Sequence, residues 1–183
     1  MVFTLSSEII LENNIGSGKT ISRTRLNSLL KKQKEIEIKS KIFHLLAYRE
    51  RSRKELEVFL VSKGYDIENI NKCLDALETK GYIDDERFSR TFATNLIKQK
   101  FLGKSAVFSK FRKHCISSDI MDSVINNLYL KYPADTLIKQ LIEKKCRKIE
   151  KPIQRKDKIK LGNFLKRKGH SWEDIYPIID NLS

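Results

Sequence analysis

An all-α protein of three tandem three-helix repeats, preceded by a short N-terminal strand or hairpin, is the fold this sequence predicts. Three observations point there. Only 7 Gly and 3 Pro punctuate 183 residues in which Leu, Ile, Lys and Glu dominate, a composition of helix formers with few breakers. Apolar residues recur at helical spacing from Ile38 onward. The pattern of apolar and capping residues also returns after 51 residues and again after 105, counted from Leu56 to Val107 and to Leu161. With 40% hydrophobic residues the chain can bury a core.

Residues 1–35 are expected to form an extension of short strands and a helix. Val2-Phe3-Thr4-Leu5 and Glu8-Ile9-Ile10-Leu11 are short, rich in β-branched and aromatic side chains, and followed by Asn13, Asn14 and Gly16, which favours a hairpin. Ile21 to Lys34 reads as an amphipathic helix. Between them Gly16-Ser17-Gly18-Lys19-Thr20 looks like the end of a phosphate-cradling loop, but Asn13 stands where that motif needs its first glycine. A plain turn is the expectation.

The first repeat is expected over 36–81. Ile38, Ile42, Leu45 and Leu46 line its first helix, which breaks at Arg49-Glu50-Arg51. Ser52 with Glu55 makes a capping box for the second, and Lys63-Gly64 ends it. Asp66 caps the third, whose inner face carries Ile70, Cys73, Leu74 and Leu77. Gly81 can take the left-handed conformation that ends a helix, and Asp84 can start the next, so Lys80 to Phe88 separates two folding units.

The second repeat is expected over 82–132 and the third over 133–183. Leu56, Leu60, Ile70, Cys73, Leu74 and Leu77 fall on Val107, Phe111, Met121, Val124, Ile125 and Leu128, then on Leu161, Leu165, Ile175, Ile178, Ile179 and Leu182. Caps recur too: Ser52, Gly103 and Asp157 before the second helices, Asp66, Ser117 and Ser171 before the third. Gly64 and Gly169 repeat the stop signal, with Cys115 in the middle copy. Phe88, Phe92, Leu96 and Ile97 line the second repeat's first helix; Leu137, Ile138, Leu141, Ile142 and Ile149 line the third's, which Lys151-Pro152 ends. Stacked repeats touch only their neighbours, so the expected molecule is an elongated, curved array with a continuous face.

The charge of +14, from 37 Lys and Arg against 23 Asp and Glu, directs attention to a polyanionic partner. Thirteen basic residues lie between Lys139 and Lys168 against Glu143, Glu150 and Asp157. The expected contact residues are Arg49, Arg51, Arg53 and Lys54 in the first repeat and Lys104, Lys110, Arg112 and Lys113 in the second. Lys158, Lys160, Lys166, Arg167 and Lys168 complete them in the third. Such side chains on one face track phosphates without reading bases. Trp172, just after the Ser171 cap, is expected to pack under the turn. Cys73, Cys115 and Cys146 show no C-x-x-C pairing, and His44, His114 and His170 follow no ligand spacing, so neither metal nor cofactor is expected. Asp84-Asp85-Glu86 reads as the start of a helix rather than a carboxylate site. No secretory leader or membrane span is legible, and a cytoplasmic protein is expected.

Arg49-Glu50-Arg51-Ser52-Arg53-Lys54-Glu55-Leu56, then Leu60, Lys63-Gly64-Tyr65, Gly81-Tyr82-Ile83-Asp84-Asp85 with Phe88, and Gly103-Lys104 resemble the RecX regulatory proteins. The resemblance is close from about residue 40 to 130 and looser beyond. The opening, Phe3 to Gly18 with Lys19, resembles the short extension some members carry. It implies a non-enzymatic modulator of the RecA recombinase, built from tandem three-helix repeats, that lies in the groove of the RecA filament on single-stranded DNA. There it would interfere with filament growth, ATP turnover and strand exchange. A monomer is expected. His114-Cys115-Ile116 stands where the family usually shows Lys-Gly-Ile, which bears on the turn there. Two rival readings are a free-standing basic nucleic-acid binder and a nucleotide-dependent enzyme using Gly16 to Thr20.

Overall fold

The computed structural model describes residues 4–146 and 154–182, and among these it contains ten α-helices and no strand. They are α1 (Ser7–Glu12), α2 (Arg23–Leu46), α3 (Arg53–Ser62), α4 (Ile67–Thr79), α5 (Asp85–Lys100), α6 (Lys104–Phe111), α7 (Ser118–Lys131), α8 (Ala134–Cys146), α9 (Arg155–Arg167) and α10 (Trp172–Asp180). No helix among the described residues is long and apolar enough to cross a membrane. The chain divides into two compact units, Met1–Asp84 and Asp85–Ser183, the division falling within the Gly81–Phe88 stretch.

In the first unit α2 runs unbroken for 24 residues, through the position expected to separate the extension from the first repeat. Neither Gly nor Pro occurs between Gly18 and Gly64 to stop it. Ser22, not Ile21, marks its start, with the Ser22 side chain accepting from Arg25 N. The second half of α2 closes with α3 and α4 over a core in which Ile38, Ile42, Leu56, Leu60, Ile70 and Leu74 are fully buried. Each such side chain stabilises the unit by about 1.5–3 kcal/mol relative to exposure. Ser52 accepts from Glu55 N to cap α3, and Asp66 accepts from Glu68 N and Asn69 N to cap α4. Gly64 at φ +81° and Gly81 at φ +72° end the two helices as expected.

The N-terminal strand or hairpin is not formed by the described residues. Glu8 to Leu11 belong to α1, and the strand expected from Val2 begins outside the described residues. A strand must share its backbone hydrogen bonds with a neighbour, and here the backbone is satisfied locally while Ile9 is buried where α1 meets α2. Ser6 N donates to Gln33 Oε1 at 2.8 Å, and Glu12 pairs with Lys32. Gly16 to Thr20 therefore follow a helix, and Lys19 Nζ donates to the Asn14 carbonyl at 2.7 Å.

The second unit holds two apolar clusters. One gathers α5, α6 and α7 around Phe88, Ile97, Val107, Phe111 and Ile125; the other gathers α8, α9 and α10 around Ile138, Leu161, Leu165 and Ile175. Every residue matched across the three copies is buried or half-buried. Ser117 caps α7 and Ser171 caps α10 through their side chains. Asp157 does not cap α9: Gln154 holds that position and Asp157 lies in the first turn, where its charge still favours the helix N-terminus. Ile149 and Lys151-Pro152 lie outside the described residues. Cys115 takes φ +51°, the left-handed turn that glycine makes more readily, directly after a 3-10 turn at Arg112–His114. His114 is buried there among the rings of Phe88, Phe92 and Phe111, at centroid distances of 4.9, 4.9 and 6.5 Å.

Candidate functional site

The second unit is pinned together by two loops that meet backbone to backbone, Phe101–Gly103 between α5 and α6 and Lys168–His170 between α9 and α10. Gly103 N donates to Lys168 O at 2.9 Å, and Ser105 Oγ donates to Gly169 O at 2.9 Å. His170 Nε2 donates to Phe101 O at 3.0 Å, because a carbonyl can only accept. Tyr129 Oη donates to Leu102 O, and burial pushes its phenol far above the ordinary range. Glycine is required on both sides. A Cβ on Gly103 would stand 2.2 Å from Gly169 O, and one on Gly169 would stand 2.4 Å from Ala106 Cβ at a backbone φ of +89°.

This clamp brings three helix C-termini and their cations together. The last turns of α5, α8 and α9 carry Lys98 and Lys100, Lys144 and Lys145, and Lys166 and Arg167, where the negative ends of the helix dipoles favour positive charge. Lys168 Nζ lies 3.5 Å from Lys100 O. Lys144 Nζ sits 4.2 Å over the Phe101 ring; Lys145 and Lys168 sit 4.6 and 5.8 Å from the centre of the Phe164 ring. What these ammonium groups face is an aromatic ring or a carbonyl oxygen, so their charge is held in place by cation–π attraction without being cancelled. The cluster can meet several phosphate oxygens at once.

The basic residues anticipated in the first unit are placed differently. Arg49 pairs with Glu55 at 2.9 Å, and Arg51 lies 3.9 Å from the same carboxylate. Arg53 bridges Asp75 and Glu78 on α4, tying α3 to it, and Lys54 pairs with Glu57. Their charge is largely spent within the unit. In the second unit Lys110, Arg112 and Lys113 are exposed around the end of α6, and Lys104 approaches Asn126 Oδ1 at 3.4 Å and the Tyr129 ring. Lys158 Nζ donates to Asp180 O at 3.2 Å, Lys160 lies 3.7 Å from Asp157, and Lys166 sits 5.9 Å from the Trp172 ring centre. Arg167 is exposed on the last turn of α9. Lys100, Lys144 and Lys145 belong to the basic groups legible in the sequence but were not among the individually expected contact residues. Lys144 and Lys145 lie far in sequence from Phe101 and Phe164, and only the fold brings those rings to them.

Two family models match the chain: the first three-helix domain of RecX over residues 39–82 and the third three-helix domain of RecX over residues 134–179. The regulatory protein RecX of Clostridium tetani is 28% identical over 179 residues, covering 97% of this chain and 82% of that protein. The regulatory protein RecX of Chlorobaculum tepidum is 31% identical over 131 residues, covering 72% of this chain and 79% of that protein. Among solved structures, a crystal structure of regulatory protein RecX superposes with a TM-score of 0.78 at 17% identity, covering 98% of this chain and 89% of that one. RecX from Lactobacillus salivarius superposes at 0.71 with 22% identity, covering 81% and 96%. The two structures share the all-helical fold. With two of its helical domains matched and a relative above 30% identity across most of that relative's length, the chain belongs to the RecX family of regulatory proteins.

Proposed function

We propose that this chain regulates a RecA-type recombinase, binding the filament that the recombinase forms on single-stranded DNA and inhibiting its ATP turnover and strand exchange. Membership of a family of regulatory proteins supports the partner. The observation that carries the contact with DNA is the cluster of Lys144, Lys145 and Lys168 around Phe101 and Phe164, whose charges face rings and the Lys100 carbonyl rather than carboxylates. Lys166 and Arg167 extend it along α9, and Lys104, Lys110, Arg112 and Lys113 supply further cations on α6 and the turn after it. These groups neutralise phosphates without reading sequence, so binding weakens as salt rises. The protein acts as a monomer and without a cofactor.

Recombinase ATPase and strand-exchange rates, measured with and without the protein, test the proposal. Inhibition is expected at stoichiometric amounts, and its absence would refute the regulatory role. Charge reversal of Arg167 with Lys168, or of Lys144 with Lys145, should relieve inhibition. Reversal of Arg51 with Arg53 should instead lower stability, because those guanidinium groups are already paired. Tight DNA binding with an unchanged ATPase would favour the free-standing nucleic-acid binder.

A further inference from the structure

A groove of about 430 Å3 runs along the seam of α9 and α10, bordered by Arg155, Lys158, Ile159, Gly162, Trp172 and Tyr176. Two of its apolar side chains are not used by the core. Ile159 is 57% exposed and Tyr176 is 56% exposed, although Leu161, Leu165, Ile175 and Ile179 on the same helices are buried. Tyr176 stacks on Trp172 with ring centres 5.1 Å apart and planes 23° from parallel. Trp172 is half-buried against the α8–α10 cluster. It fits because residue 162 has no side chain: a Cβ there would stand 3.1 Å from Trp172 Cζ3. The result is a two-ring stack with an anchored inner ring and a displayed outer one.

The charge around this stack selects its occupant. Arg155 is exposed at the rim, Lys158 lies beside it with Nζ on the Asp180 carbonyl, and Lys166 sits near the Trp172 ring. Asp180 is the carboxylate that borders the groove. A purely apolar peptide would leave the guanidinium and ammonium groups without a function. An unpaired nucleobase offers a flat π surface with an anion on each side, whereas duplex bases are already stacked on one another.

We propose that the α9–α10 groove is a nucleobase site, in which one unpaired base of a single strand stacks on Tyr176 opposite Ile159 while Arg155 and Lys158 meet the adjoining phosphates. This rests on the reading that a single strand lies on the second unit, and adds that its bases as well as its phosphates are held.

Trp172 is the sole tryptophan, so its emission reports on the groove directly. The full chain is titrated at low salt with a labelled 20-nucleotide oligothymidine and with an abasic strand of equal length, following anisotropy and tryptophan emission. Oligothymidine should quench Trp172 saturably and bind about tenfold tighter than the abasic strand, a base–aromatic stack being of that order. Tyr176→Ala should abolish that difference and leave abasic binding unchanged. Tyr176→Phe should preserve it, and Ile159→Ala should reduce it. Equal affinity for the two strands, or a Tyr176→Ala protein that still prefers oligothymidine, overturns the base site while the phosphate reading stands. If neither strand binds, both readings fall.

Discussion

Gly103→Ala tests the clamp at its tightest point. The added methyl would lie 2.2 Å from Gly169 O, 2.3 Å from Gly169 C and 2.5 Å from His170 N. All three are backbone atoms, so no side-chain rotation relieves the overlap and the two loops must part. Overpacking of this kind costs about 1–3 kcal/mol. Parting the loops also stretches the Gly103 N to Lys168 O bond, worth about 0.5–1.5 kcal/mol. The sum is about 2–4 kcal/mol, and for a unit of roughly a hundred residues each kcal/mol moves the midpoint by about 4–8 °C. Thermal unfolding followed by circular dichroism should therefore show a drop of about 8–32 °C, with faster hydrogen exchange at the residue 103 amide. Two controls separate clash from strain. Gly16→Ala has nothing within 4 Å and no left-handed φ, so it should be neutral; Gly64→Ala meets open space at φ +81° and should cost about 1 kcal/mol from backbone strain alone. A Gly103→Ala protein melting within 2 °C of the parent would refute the reasoning.

His170 makes the second unit acid-sensitive. Burial holds its pKa below the usual 6.5, so the unfolded chain takes up the proton first; the stability it contributes is complete above about pH 6.5 and is lost as pH falls towards the folded value. Urea midpoints should fall between pH 7 and pH 5, and His170→Gln should flatten that slope. Tyr129→Phe removes the buried donor to Leu102 O and should cost about 1–3 kcal/mol, read as a lower urea midpoint with unchanged slope. Lys144→Glu with Lys145→Glu should weaken binding to single-stranded DNA and reduce the slope of log affinity against log salt by roughly 2, one for each lost phosphate contact. Arg53→Glu should leave that slope alone while destabilising the first unit, since it sets a third carboxylate beside Asp75 and Glu78.

Local chemistry was legible in the sequence. Ser52, Asp66, Ser117 and Ser171 cap the helices they were assigned, because a capping side chain acts within three residues of itself. The apolar faces were legible for the same reason. What escaped depends on partners far along the chain. Arg53 looks available for phosphate until Asp75 and Glu78, 22 and 25 residues on, are folded against it. Gly103 reads as a permissive cap, and nothing nearby in sequence announces that Gly169 must approach it. The N-terminal segment misled for another reason. Ile9 and Ile10 suit a strand by side-chain type, but docking Ile9 at α2 decides the matter in favour of a helix.

The meeting of Gly103 and Gly169 also limits how this molecule can be shortened. A terminal copy in a tandem array is ordinarily dispensable, since its loss uncovers only a packing face. Here, removing α9 and α10 would strip the answering groups from Phe101 O and Gly103 N and strand polar backbone in the middle of what remained. The last two helices are therefore part of the foundation of α5 to α7, and a truncation that removes them should destabilise those helices as well.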